Sequence, residues 1–233
     1  AVIKPILRGR DIKRYAYNWA GLWVIFIPWH FPLHTDSSIQ GSSEKAEKEF
    51  MMQYPSIFNH ILQYKEPLSK RNKEETGIRY EWYALQRCAA TYYSEFEKEK
   101  VVWASVGESY YSCINKDYYL LDTNYFTTSL ERWQIGVLNS KLIISFINSL
   151  DTLVGTIAYR HYKYNFQNIP IPPVTSSNQP IVSQIESLVD AILSAKKDNP
   201  AADTSALEQQ IDHLVYRLYD LTEEEIRIVE KNG

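Results

Sequence analysis

The chain has 233 residues, a formal net charge of -3, 45% hydrophobic and 14% aromatic residues, and two cysteines. That length buries a full core and allows one large domain or one domain with a smaller element. It offers no window near the roughly 20 apolar residues of a membrane span, since residues 22–31 are too few and Pro28 interrupts them.

The first residue is Ala1, and no charged-then-apolar leader follows it, so the chain is expected to be cytoplasmic or a piece of a longer polypeptide. The opening Lys4-Pro5-Ile6-Leu7-Arg8-Gly9-Arg10-Asp11-Ile12-Lys13-Arg14-Tyr15 is the most basic window in the chain. Two readings stand for it. One is a solvated turn in which Asp11 pairs with a neighbouring arginine; the other is an entry segment whose Arg8, Arg10, Lys13 and Arg14 contact phosphates. The run Leu22-Trp23-Val24-Ile25-Phe26-Ile27 is continuously apolar, which predicts a buried strand.

Residues 36–43 are loop-like, and the charged run from Glu44 predicts a helix that ends before Pro55. Ser56 is a candidate cap for a second helix over 57–66, terminated by Pro67, with Ile57, Ile61, Leu62 and Tyr64 towards its apolar face. Lys70-Arg71-Asn72-Lys73 leads into Glu74-Glu75, a run that ordinarily marks a solvated face; Lys70 and Arg71 are also candidate phosphate contacts. Arg79, Trp82, Gln86 and Arg87 set base-reading side chains near an aromatic, and Trp82 reads either as core or as a stacking surface.

Lys100-Val101-Val102-Trp103 predicts a strand, residues 110–121 a hairpin turning near Asn115-Lys116-Asp117, and Tyr125-Phe126-Thr127-Thr128 another strand. Apolar residues at Trp133, Val137, Leu138, Leu142, Phe146 and Leu150 predict one core helix over 133–150. Short strands mixed with single helices indicate an α+β fold with a mostly antiparallel sheet. Tyr159-Arg160-His161-Tyr162-Lys163-Tyr164 alternates aromatic with basic residues. As a strand it puts Arg160, Tyr162 and Tyr164 on one face and His161 with Lys163 on the other; Arg160 and Lys163 are further candidate phosphate contacts.

Prolines at 170, 172 and 173 forbid a helix or a central strand through residues 166–173. Beyond them, Ile181, Ile185, Leu188 and Ile192, then Leu207, Ile211, Leu214, Leu218 and Leu221, recur at helical intervals. The short link over 196–202 favours an antiparallel hairpin, and Thr222 with Glu225 fits a capping box for a final helix. The expected division is a globular domain at 1–173 and a helical spacer hairpin at 174–233. Charge is unevenly distributed along the chain: residues 1–177 hold 20 Lys/Arg and 17 Asp/Glu, whereas 178–233 hold 5 and 11. The first part suits phosphates and the tail repels them.

Catalytic signatures are missing. No G-x-G occurs, and Ile171 stands where the Asn-Pro-Pro-aromatic signature of adenine methyltransferases needs asparagine. Glu97-Lys98-Glu99-Lys100 supplies part of a nuclease pattern, but no aspartate lies between Asp36 and Asp117. His30 and His34 are spaced as metal ligands on a helix, yet Pro32 between them breaks any helix, which leaves a loop or core pair. His60 and His213 lack partners at ligand spacing. Cys88 and Cys113, without partner spacing, read as reduced and structural. Neither a catalytic residue nor a metal ligand is assigned.

The opening segment resembles the start of the TaqI-like C-terminal specificity domain of combined (type IIG) restriction-modification enzymes. In order, Trp82-Tyr83-Ala84-Leu85, Lys100-Val101-Val102, Tyr125-Phe126-Thr127 and Leu138-Asn139-Ser140-Lys141-Leu142 are similar to later segments of that family. The proline stretch followed by Ile181-Val182-Ser183-Gln184-Ile185 is similar to the junction between recognition domain and spacer in type I specificity subunits. The resemblance implies a target recognition domain that selects a short double-stranded DNA sequence. It would act for an adenine-specific DNA methyltransferase upstream in the same polypeptide, often fused to an endonuclease. S-adenosylmethionine would belong to that parent and no cofactor to this chain. Family members do not share recognition residues, so the candidate contacts rest on physical reasoning alone. The competing expectation is a protein-interaction module in which the helical hairpin docks a partner, a second copy or the parent enzyme's other domains.

Overall fold

The computed structural model describes residues 2–71, 81–86 and 92–232. The chain forms two compact units, one of Ala1–Lys4 with Trp23–Glu95 and the other of Pro5–Leu22 with Phe96–Gly233. This division differs from the expected 1–173 and 174–233, because the helical tail belongs to the second unit. Strand β1 (Ile3–Leu7) leads from the first unit into the second, followed by β2 (Ile12–Lys13) and β3 (Ala16–Tyr17), an antiparallel pair.

In the first unit, β4 (Trp23–Ile25) precedes α1 (Glu44–Gln53), α2 (Pro55–Leu62) and α3 (Lys65–Ser69). Residues 22–27 are not the buried strand their composition predicts: Trp23 is 58% exposed, and Ile27 carries the burial. Ser43 caps α1, its hydroxyl accepting the Ala46 N–H at 3.2 Å. The second helix begins at Pro55, which occupies a first-turn position where the missing N–H costs nothing. It buries Phe58 and Ile61 and leaves Leu62 exposed, as is Tyr64 just beyond it. Pro67 lies inside α3, so the single helix expected over 57–66 is two short ones. Phe31, Phe50, Phe58, Trp82 and Tyr83 form the core of this unit, and the Trp82 indole N–H donates to Glu47 Oε1 at 2.8 Å. Trp82 is core.

The second unit is built on β5 (Lys100–Ala104), all five of whose residues are buried. After β6 (Val106–Gly107) come β7 (Ser112–Ile114), β8 (Tyr119–Leu120) and β9 (Asn124–Thr127). Strands β7 and β9 flank β5 in antiparallel register, whereas β8 pairs in parallel with β1. Residues 110–121 are therefore not a hairpin. The arrangement is α+β, with its strands spread over several small sheets rather than one.

The helix expected over 133–150 is broken into α4 (Arg132–Leu138) and α5 (Lys141–Leu150). At the break, Asn139 pairs with the backbone of Tyr111, accepting its N–H at 3.0 Å and donating to its carbonyl at 2.8 Å. Ser140 then caps α5, and the Lys141 N–H donates to Asp212 at 2.8 Å. The chain continues through β10 (Thr152–Val154), β11 (Ala158–Arg160) and α6 (Lys163–Gln167) to the proline stretch. Helices α7 (Gln179–Asp198) and α8 (Ser205–Leu218) pack together and against α4, and α9 (Glu223–Asn232) packs on α5. Ile185, Val189 and Ile211 share one core with Trp103, Tyr111 and Trp133. The tail is an integral layer of the second unit.

Candidate nucleic-acid interface

A 3-10 turn at Gly9–Asp11 shapes the opening basic segment. Arg8 spans it: its Nε and Nη2 donate to Asp11 at 3.0 and 2.7 Å, and its backbone N–H donates to the same carboxylate at 2.9 Å. Burial alone would push the Asp11 carboxyl up, but these hydrogen bonds hold it below the usual carboxylate range. Gly9 is required by close approach, because a Cβ there would stand 2.8 Å from the Thr123 carbonyl oxygen. With Arg8 tied back, Arg10 and Lys13 project as exposed side chains. Arg14 faces the other way, pairing with Glu208 of α8 at 2.9 Å and donating to the Asn139 carbonyl.

The second basic segment is organised by one buried carboxylate. Asp151 meets His161 Nδ1 at 2.6 Å and accepts from the Asn165 amide at 2.7 Å and the Tyr162 N–H at 3.3 Å. The His161 N–H donates to the Ser105 carbonyl at 3.0 Å, which anchors the segment beyond the end of β5. This cluster ends β11 at Arg160 and turns the chain into α6, so the expected strand over 159–164 is corrected. His161 points inward and Arg160, Lys163 and Tyr164 are exposed. The Tyr162 and Tyr164 rings stack at 5.4 Å.

Strand β6 joins these segments. The Gly9–Asp11 turn packs against β6, and β6 pairs antiparallel with β11, Val106 opposite Arg160. Arg10 and Arg160, far apart in sequence, thus stand on elements that share a neighbour. Both have side chains in water, where phosphate oxygens are accessible.

The remaining candidates are placed differently. Lys70, in the first unit, is exposed and pairs with Glu66 at 2.6 Å. Arg71 donates to the carbonyls of Leu68, Trp82 and Ala84 at 2.9, 2.6 and 2.8 Å, so its guanidinium is spent on backbone. Arg79, Arg87 and Cys88 lie outside the described residues. Lys100 directs its ammonium to the carbonyls of Asn115 and Tyr118, at 3.0 and 3.2 Å, rather than to a carboxylate. His30 Nδ1 meets Glu81 at 3.0 Å, and His34 stacks on Phe31. Among the described residues no group of three or more His, Cys, Asp or Glu is arranged to hold a metal ion.

Sequence reasoning passed over Leu153, Val154 and Ile157, all exposed around the β10–β11 turn. Their signal was present: no aspartate or glutamate occurs between Asp151 and Glu186.

The model of the TaqI-like C-terminal specificity domain family matches residues 4–171. Among solved structures, the chain is similar to the type IIL restriction-modification enzyme MmeI in complex with DNA, with a TM-score of 0.56 at 12% identity. The similarity covers 98% of this chain and 30% of that one, so the chain spans less than a third of that enzyme's length. At this identity the likeness is one of fold. No curated protein matches the chain.

Proposed function

Because the chain belongs to the TaqI-like C-terminal specificity domain family, we propose that it reads a short double-stranded DNA sequence for an adenine-specific methyltransferase domain upstream in the same polypeptide, in an enzyme that also restricts DNA. The observation that carries this reading is the convergence of two exposed basic segments on β6, one bearing Arg10 and Lys13 and the other Arg160 and Lys163. The solved relative was captured with DNA, which supports the same reading.

Arg10, Lys13, Arg160 and Lys163 are the proposed contacts, and Lys70 is a further one in the first unit. Arg8 and Arg14 act as positioning residues, the first holding the turn that presents Arg10 and the second tying that segment to α8. Arg71 ties the end of α3 to the Trp82–Ala84 backbone. Phosphate contacts fix register and base-edge contacts supply sequence choice, each good bidentate contact being worth about 1 to 3 kcal/mol of discrimination. The methyltransferase domain would flip the target adenine and supply S-adenosylmethionine, while this chain holds the duplex in register. An assembly role for the α7–α8 hairpin loses its main motive, since Ile185, Val189, Ile192 and Ile211 are spent in the chain's own core.

Selection by the chain from a library of randomised duplexes tests the proposal. Enrichment of one short motif is expected; bound duplexes with no common motif would contradict it.

A further inference from the structure

Strand β10 is unusual among the described strands of the second unit in having every residue exposed, whereas Ala158 and Tyr159 of β11 are half-buried. All three residues of β10 are exposed, and in a sheet successive side chains alternate between faces, so neither face of this edge strand is packed. The register places Thr152 opposite Arg160, Leu153 opposite Tyr159 and Val154 opposite Ala158. Thr152, Val154, Ala158 and Arg160 therefore share one face. Gly155, with φ of 73°, starts the turn, and Ile157 within it is 69% exposed. Apolar side chains form the tip, a cation stands at the base, and the Asp151 cluster holds the base rigid.

Beyond the pairing of Tyr159 and Arg160 with β6, the outer part of this three-stranded sheet is a two-stranded ribbon, an element that the DNA major groove admits, and in that groove the thymine C5-methyl group is the one apolar feature of a base edge. No acidic residue occurs from 152 to 185, so the β10–β11 segment itself brings no negative charge towards the phosphates on either side of such a groove. Arg160 and Lys163 complement those phosphates in charge. We infer that the β10–β11 ribbon enters the major groove of the recognised duplex, with Val154 and Ile157 against thymine methyl groups and Arg160 at the groove's rim. This inference rests on the DNA-recognition reading above and assigns the segment that performs it.

The test uses the full chain and the motif that it selects. Replacing each thymine of that motif in turn with deoxyuridine removes one methyl group and leaves base pairing intact. At one or more positions the wild-type chain should lose about three- to fivefold in affinity, the worth of one buried methyl group. The same replacement should cost Ile157→Ser or Val154→Ser nothing further, because the methyl's partner is already gone. Both side chains are exposed, and an unchanged melting temperature checks that each variant folds. A selected motif without A·T pairs, thymine replacements without effect, or losses equal in wild type and both variants would overturn the assignment while leaving DNA recognition intact. If Ile157→Ser instead selects the same motif with the same affinity but abolishes self-association by light scattering, the tip is a protein contact and the inference fails. Failure to bind any duplex would remove the underlying reading itself.

Discussion

Arg8 closes a bidentate pair with Asp11, Arg14 reaches Glu208 and the Asn139 carbonyl, and Arg10 between them is exposed. The Arg8 pairing was legible, since an acid three residues after a base across a glycine invites it. The Arg14 pairing was not, because nothing local names a glutamate near the other end of the chain. Lys100 shows the same limit: in the sequence it belongs to a charge run, and in the structure it is buried, its ammonium on the carbonyls of Asn115 and Tyr118 between β7 and β8. Burial pushes its ammonium down from 10.5 to about 8. Between these values the unfolded chain keeps the proton that the folded chain has released, so the lysine's contribution to stability rises with pH across that window. Lys100→Met removes it. Denaturation of both proteins at about pH 7.5 and about pH 9.5 should show wild type gaining on the variant as pH rises; a difference independent of pH would contradict the burial argument. Buried tyrosines such as Tyr111, whose phenols burial also pushes up, oppose this only at higher pH and are common to both proteins.

Elements with one dominant signal were readable: the helix from Glu44, β5, β9, and the α7–α8 pair all follow the period or cap that predicts them. Errors arose where two signals competed. The apolar period runs unbroken through Asn139-Ser140, yet Ser140 caps a new helix and Asn139 spends its amide on Tyr111, so tertiary hydrogen bonds override periodicity. After Arg160, alternation gives way to the Asp151 cluster for the same reason. Helix α4 carries a further consequence. A Cβ at Gly136 would stand 2.7 Å from Ile185 Cγ2 and 2.8 Å from Val189 Cγ2, both branch methyls with little rotameric freedom in a helix. Gly136→Val should cost about 2 kcal/mol or more by overpacking the α4–α7 contact, read as a lower denaturant midpoint. Unchanged stability would mean that the tail is not packed as closely as described.

For the whole molecule, the composition boundary at the prolines is real in the backbone but is not a boundary of packing. Opposite charges on either side of it suggested two separable parts, whereas the core joins α7 and α8 to β5 and α4. The ordered family resemblance was readable because it rests on local segments. The convergence on β6 was not, because strand pairing across such separations leaves no local trace. The central claim is that the Gly9–Asp11 turn and the β10–β11 ribbon form one DNA-facing surface. Its most direct test is the salt dependence of duplex binding by wild type, Arg10→Ala, Arg160→Ala and the double variant, with Arg217→Ala in the acidic tail as control. A steep negative slope of log K against log salt is expected, reduced by about one for each single variant, by about two for the double, and not at all for the control. Equal slopes for all five proteins would contradict it.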